Sequence, residues 1–84
     1  VRAAEVAGAP GVPDASLLLK RAREGLDQAK ALMGNGKHEE ADRVLQRAEA
    51  DAELALHLAR EAVAKAEAQA AVDQVKAFKK KASE

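Results

Sequence analysis

Two imidazoles and a scatter of carboxylates are the side chains in this 84-residue chain that could move a proton or hold a metal near neutral pH. His38 and His57 stand 19 positions apart on what reads as one helix. At ~1.5 Å per residue that is roughly 28 Å, too far to share an ion within one chain. His38, Glu39 and Glu40 are consecutive, and consecutive helical residues point in different directions instead of converging. Glu49, Asp51 and Glu53 could be taken for paired acid–base carboxylates. A spacing of two sends them to different faces, Glu49 and Glu53 repel mildly, and nothing bulky and apolar stands by to raise a pKa. They read as a solvated face.

No His-Glu-x-x-His, phosphate-cradling loop or Ser/His/Asp set is present. Gly34-Asn35-Gly36-Lys37 is glycine-rich, but it follows a helical pattern and reads as a turn. The chain has no Cys, which excludes disulfides, thiolate metal sites and thiol catalysis within it. The expectation is a protein that is not an enzyme, with no catalytic, cofactor-binding or metal residues.

Charge narrows the partners. Lys and Arg number 14 and Asp and Glu also 14, whereas a nucleic-acid ligand normally demands a basic excess. Lys76-Ala77-Phe78-Lys79-Lys80-Lys81 could touch an anionic surface, but lysines there also suit the negative end of a helix dipole, and that reading is preferred. No apolar stretch approaches the ~20 residues that span a bilayer. Without an initiator Met or a signal-like segment, the chain reads as a piece of a longer protein.

The elements that carry these residues are helical throughout. Hydrophobic residues make up 48% of the chain, more than half of them alanine, and Phe78 is the sole aromatic. Such a chain builds a thin core. Ala15, Leu19, Ala22, Leu26, Ala29 and Met33 recur in steps of four and three, a helical stripe that begins after Gly8, Pro10, Gly11 and Pro13. Asp14 suits the N-cap or the first turn of this helix. Gly34-Asn35-Gly36 should end it. Gly25 weakens it by ~1 kcal/mol relative to alanine, or serves close approach of a neighbour.

From Lys37 or His38 onward there is no Gly or Pro, and Ala41, Leu45, Ala48, Ala52, Ala55, Ala59, Ala62 and Ala66 form a second seam. Alanine where leucine is usual lets two backbones come to the short end of the ~8–10 Å interaxial range. The short turn makes the helices antiparallel. The second is about twice as long as the first, so residues from Ala62 onward lack an obvious partner unless Val1 to Ala7 folds alongside. There the seam breaks: Gln69 and Asp73 occupy its next positions, and the apolar stripe resumes at Ala64, Ala68, Ala71, Val75 and Phe78. The fold class expected is all-α: an antiparallel helical hairpin with a short first and a long second helix, able to form a coiled-coil-like bundle on dimerisation. Residues 1–13 read as a remnant of an upstream helix plus a Gly/Pro linker, 14–80 as the hairpin domain, and 81–84 as a tail. Ala62, Ala66, Ala71, Val75 and Phe78 are the candidate interaction residues.

Two local patterns carry a resemblance: Leu19-x-x-Ala22-x-x-x-Leu26-x-x-Ala29-x-x-Leu32, and Gly36 through Ala41 and Leu45 to Ala50-Asp51-Ala52-Glu53-Leu54-Ala55. Over roughly Ala9 to Ala70 the chain resembles the alanine-rich helical domain of unknown function found in bacterial cell-envelope proteins, often lipoproteins and often upstream of an OmpA-like domain. The resemblance implies a location in the bacterial periplasm or cell envelope, with no catalytic residue carried over. His38 stands where members often have an aromatic. No lipidation cysteine or wall-binding motif is present, so membrane or cell-wall association would come only through parts outside this chain. The expected function is a non-catalytic helical spacer or protein-interaction module of an envelope protein, self-associating or pairing with another helical protein. The alternative is a tetratricopeptide-like scaffold that binds a partner peptide or protein, suggested by Gly36 to Ala41 but lacking a second unit at the required spacing.

Overall fold

Val12 opens the first long helix with extended backbone and no side-chain cap, and Pro13 occupies its first turn, where a missing N–H costs nothing. This computed structural model describes residues 1–83. In chain order they form α1 (Arg2–Val6), a 3-10 turn (Ala9–Gly11), α2 (Pro13–Gly34) and α3 (His38–Ala82). Asp14 lies inside the first turn of α2, where its charge faces the positive helix end, and it does not cap the helix. The helical hairpin of unequal arms is thus the fold: α2 has 22 residues and α3 has 45.

The turn between them satisfies the last carbonyls of α2 through its own backbone. Gly36 N–H donates to Met33 O at 3.0 Å and Lys37 N–H to Leu32 O at 2.9 Å. This pair of bonds needs a left-handed residue just past the helix end, and Gly36 supplies it at φ 75°. The chain leaves the turn at His38 and runs back along α2.

The core between the arms is almost wholly alanine. The buried apolar residues are Leu19 and ten alanines, among them Ala15, Ala22 and Ala29 of α2 and Ala41, Ala48, Ala52, Ala55 and Ala59 of α3. Both stripes read from the sequence therefore face inward, except at their ends: Met33 is exposed, and so is Ala66. Leu45 and Leu26 are half-buried at the edges of the seam. Gly25 marks the tightest approach, because a Cβ built there would lie 2.9 Å from the Ala48 Cβ.

Residues 1–13 join this core. Ala4 and Ala9 are fully buried and cluster with Ala15, Leu19, Ala55 and Ala59, while Val1, Ala7 and Val12 pack around them. α1 therefore lies beside α3, and the Gly/Pro stretch folds as a compact turn that feeds directly into α2. Val1 borders Leu26, Leu45 and Ala52, and Val6 borders Leu56 and Val63, so α1 runs parallel to α3. The whole is a rod of 73 × 16 × 14 Å.

Two substitutions probe this core. Gly25→Ala adds up to ~1 kcal/mol of helix propensity but drives a methyl into Ala48, and overpacking of this kind costs ~1–3 kcal/mol. Urea denaturation should show a net loss of stability, and Ala48→Gly in the same chain should recover more than additivity allows. A Gly25→Ala variant more stable than the parent would refute the close approach. Leu19 is the one large side chain fully buried, so Leu19→Ala should cost ~2–5 kcal/mol, most of what a domain this small possesses. Loss of a cooperative melt by circular dichroism checks it.

Candidate interaction surface

α3 outruns α2 by roughly 34 Å at ~1.5 Å per residue. From Val63 to Ser83 every residue is exposed, and the exposed set includes Val63, Val72, Val75 and Phe78, the last 75% open to solvent. Val75 and Phe78 are where sequence reasoning looked for an unsatisfied surface. The five candidate residues do not form one face, however. Ala62 and Ala71 are nine residues apart, about two and a half turns, and so point to opposite sides of α3. Ala62 is half-buried and ends the hairpin seam, and Ala66 continues that side in solvent. Ala71, Val75 and Phe78 share the other side with Ala64 and Ala68.

Polar chemistry closes the seam side. Gln69 and Asp73, which occupy the next seam positions, bond to one another: Gln69 Nε2 donates to Asp73 Oδ1 at 2.9 Å. Two polar groups that satisfy each other one turn apart need no partner helix. Lys65 Nζ and Glu61 Oε1 pair at 2.9 Å on the same stretch. At the far end Ser83 Oγ donates to Lys80 O at 2.9 Å, and Lys79, Lys80 and Lys81 sit in the last turn as the dipole favours.

The free stripe runs back into an apolar groove between α1 and α3. Its volume is about 690 Å³, and Ala3, Val6 and Ala7 of α1 face Leu56, Val63 and Ala64 of α3 across it. Arg2, Arg60 and Glu67 complete the lining. Val6 is 82% exposed although it belongs to this wall. Sequence reasoning missed the groove because five residues of α1 carry too short a pattern to place against a particular face of α3. The run Val1 to Ala7, with its alanines three and four apart, was the available signal.

α1 is held to the hairpin by one ion pair as well as by Ala4. Arg23 Nη2 donates to Glu5 Oε1 at 2.7 Å, with both side chains partly exposed. This hydrogen bond is the main reason the Glu5 carboxyl titrates below the ordinary glutamate range; slight desolvation opposes it, and the charges of Arg23, the amino terminus and Arg2 reinforce it.

His38 and His57 are both exposed and far apart along α3. Among the described residues, no three His, Asp or Glu side chains come together as a metal site, and no helix is long and apolar enough to cross a membrane.

Residues 1–71 match the family described as domain of unknown function DUF4398. The chain belongs to this family. The matched stretch starts at Val1, so α1 and the 3-10 turn lie within the family's domain together with the hairpin and the first part of the α3 extension. Val75 and Phe78 lie beyond it. No curated protein and no solved structure matches the chain.

The Glu5 pair gives a pH test. A carboxylate whose pKa is lowered on folding contributes stability that is present above its unfolded pKa and is lost as pH falls through the lower, folded value. The protection of the α1 amides, their exchange rate relative to the intrinsic rate at each pH, should thus hold down to the ordinary carboxylate range and fall below it. Glu5→Gln should quicken α1 exchange at neutral pH and flatten this dependence. Identical pH profiles for the two chains would show that the pair does not hold α1.

Proposed function

We propose that this domain is a non-catalytic helical module that associates through the free face of α3, self-pairing into a coiled-coil-like bundle. The observation that carries this reading is the extension itself: a helix about 34 Å longer than its partner, with Val75 and Phe78 held out in solvent on one side. A stripe in alternating steps of four and three is what a helical partner requires. The side chains that could do acid–base chemistry are dispersed over the rod and exposed, which fits a binding role better than a reaction centre. The lengths of α2 and α3, 22 and 45 residues, fit poorly with a tetratricopeptide unit, whose two helices share about 34 residues.

We place the module in the bacterial cell envelope on the resemblance of its two sequence patterns to envelope-protein domains. Contact with a membrane or the cell wall would then come from other parts of the parent protein. Fractionation of cells expressing the tagged parent protein tests this placement, and a cytosolic pool alone would overturn it.

Association is tested by light scattering coupled to size-exclusion chromatography over a concentration series. The chain should rise to at least twice its 8.8 kDa monomer mass. Val75→Glu and Phe78→Glu, each at an exposed site, should return it to monomer without changing helicity. A parent chain that stays monomeric to millimolar concentration would remove self-pairing from the proposal.

A further inference from the structure

The free stripe of α3 is graded in size, and the grading selects an arrangement. Ala64 and Ala68 lie on one side of Ala71, and Val75 and Phe78 lie on the other. Ala64 and Phe78 are each seven residues from Ala71, and Ala68 and Val75 are three and four residues from it. We propose that two copies pair antiparallel about a two-fold axis at Ala71, with Phe78 of each copy entering the α1–α3 groove of the other. This rests on the self-association described above and adds its geometry, register and socket.

Three observations support it. In the antiparallel register each large side chain meets a small one, Phe78 against Ala64 and Val75 against Ala68, as close packing demands. A parallel pair would set Phe78 on Phe78 and leave alanines facing across a gap. Charge agrees with size. In this register residues 74–81 of one copy, with four lysines and no acid, lie over residues 61–68 of the other, which carry Glu61 and Glu67 against Lys65. Antiparallel pairing brings the four lysines to Glu61 and Glu67, with Lys65 and the groove's Arg2 and Arg60 offsetting part of the attraction, whereas parallel pairing would lay lysines on lysines. Glu61 and Lys79, 18 residues or five turns apart, lie on the same flank of α3, the flanks that meet when two such helices run in opposite directions.

The groove supplies the third argument. Ala64, the position opposite Phe78, is part of its lining, together with Val6, Ala7 and Val63. An aromatic ring arriving there finds an apolar trough bounded on one side by α1. A two-fold axis makes the contact twice, so both rings and both grooves are used, and the contact closes instead of growing into a filament.

The test exploits a chain without native cysteine. Nitroxide labels on Lys80→Cys should lie roughly 30 Å apart in the dimer, because each label is nine residues from the axis. Ala71→Cys should form an intermolecular disulfide under mild oxidation. Val6→Lys, which alters the socket and leaves α3 untouched, should weaken the dimer at least tenfold by bringing a cation to the lysine-rich end of the other copy. A dimer whose Lys80 labels lie within ~15 Å is parallel and overturns the register while self-association stands. A dimer that is indifferent to Val6→Lys, or that lacks the residue-71 disulfide, also overturns it. A parent chain that is monomeric by light scattering overturns both.

Discussion

Backbone-to-backbone proximity along the alanine seam is the constraint from which the rest of this structure follows. Alanine buries little area, so the hairpin cannot rely on the large transfer free energies that leucine or phenylalanine would supply. What it gains instead is close contact over the full length of α2, with Gly25 against Ala48 at the tightest point. Many weak dispersion contacts at optimal distance replace a few large burials. A seam of this kind tolerates little lateral error, because a single added methyl has no rotamer into which to retreat.

A thin seam also explains why α1 matters beyond its length. Five helical residues cannot be stable alone, yet Ala4 is buried against the same cluster as Leu19, Ala55 and Ala59. α1 and the 3-10 turn cover the end of the hairpin where α2 begins, and they convert a two-helix contact into a three-element core there. The Arg23–Glu5 pair adds little energy at a solvent-exposed site. It links α1 directly to α2.

Most of the architecture was legible because it is periodic. The four–three spacing from Ala15 to Ala29 and from Ala41 to Ala59 reports burial on both arms, and Gly34-Asn35-Gly36 reports the turn through the one left-handed residue that turn needs. Residues 1–13 were harder to read. Gly8, Pro10, Gly11 and Pro13 signal a break, but local chemistry does not say whether a break is a linker or a tight corner; the burial of Ala9 decides that, and it depends on contacts far along the chain. The candidate surface was legible in part for a related reason. The register shift at about Ala66 was visible, yet Ala62 and Ala66 were grouped with Ala71, Val75 and Phe78, although a two-residue slip turns a helical stripe by about 200°. The free side of α3 is therefore the one that continues toward α1, away from α2.

That rotation has an energetic consequence. A helix of about twenty residues in water is marginal by itself because its first turn is costly to nucleate. Here the nucleus is already present: α3 enters its free stretch from a turn packed on α2, with no Gly or Pro after Gly36 to interrupt propagation. Eight alanines between Ala62 and Ala82 supply the highest intrinsic helix propensity. Glu61–Lys65, Gln69–Asp73 and the Ser83 contact to Lys80 each link neighbouring turns at separate points along the way. The extension can therefore stay helical on its own, with Val75 and Phe78 exposed along it and no further free energy needed to order its backbone. The hairpin's thin alanine core thus needs only to hold one end of α3 for the rest of the helix to continue past it.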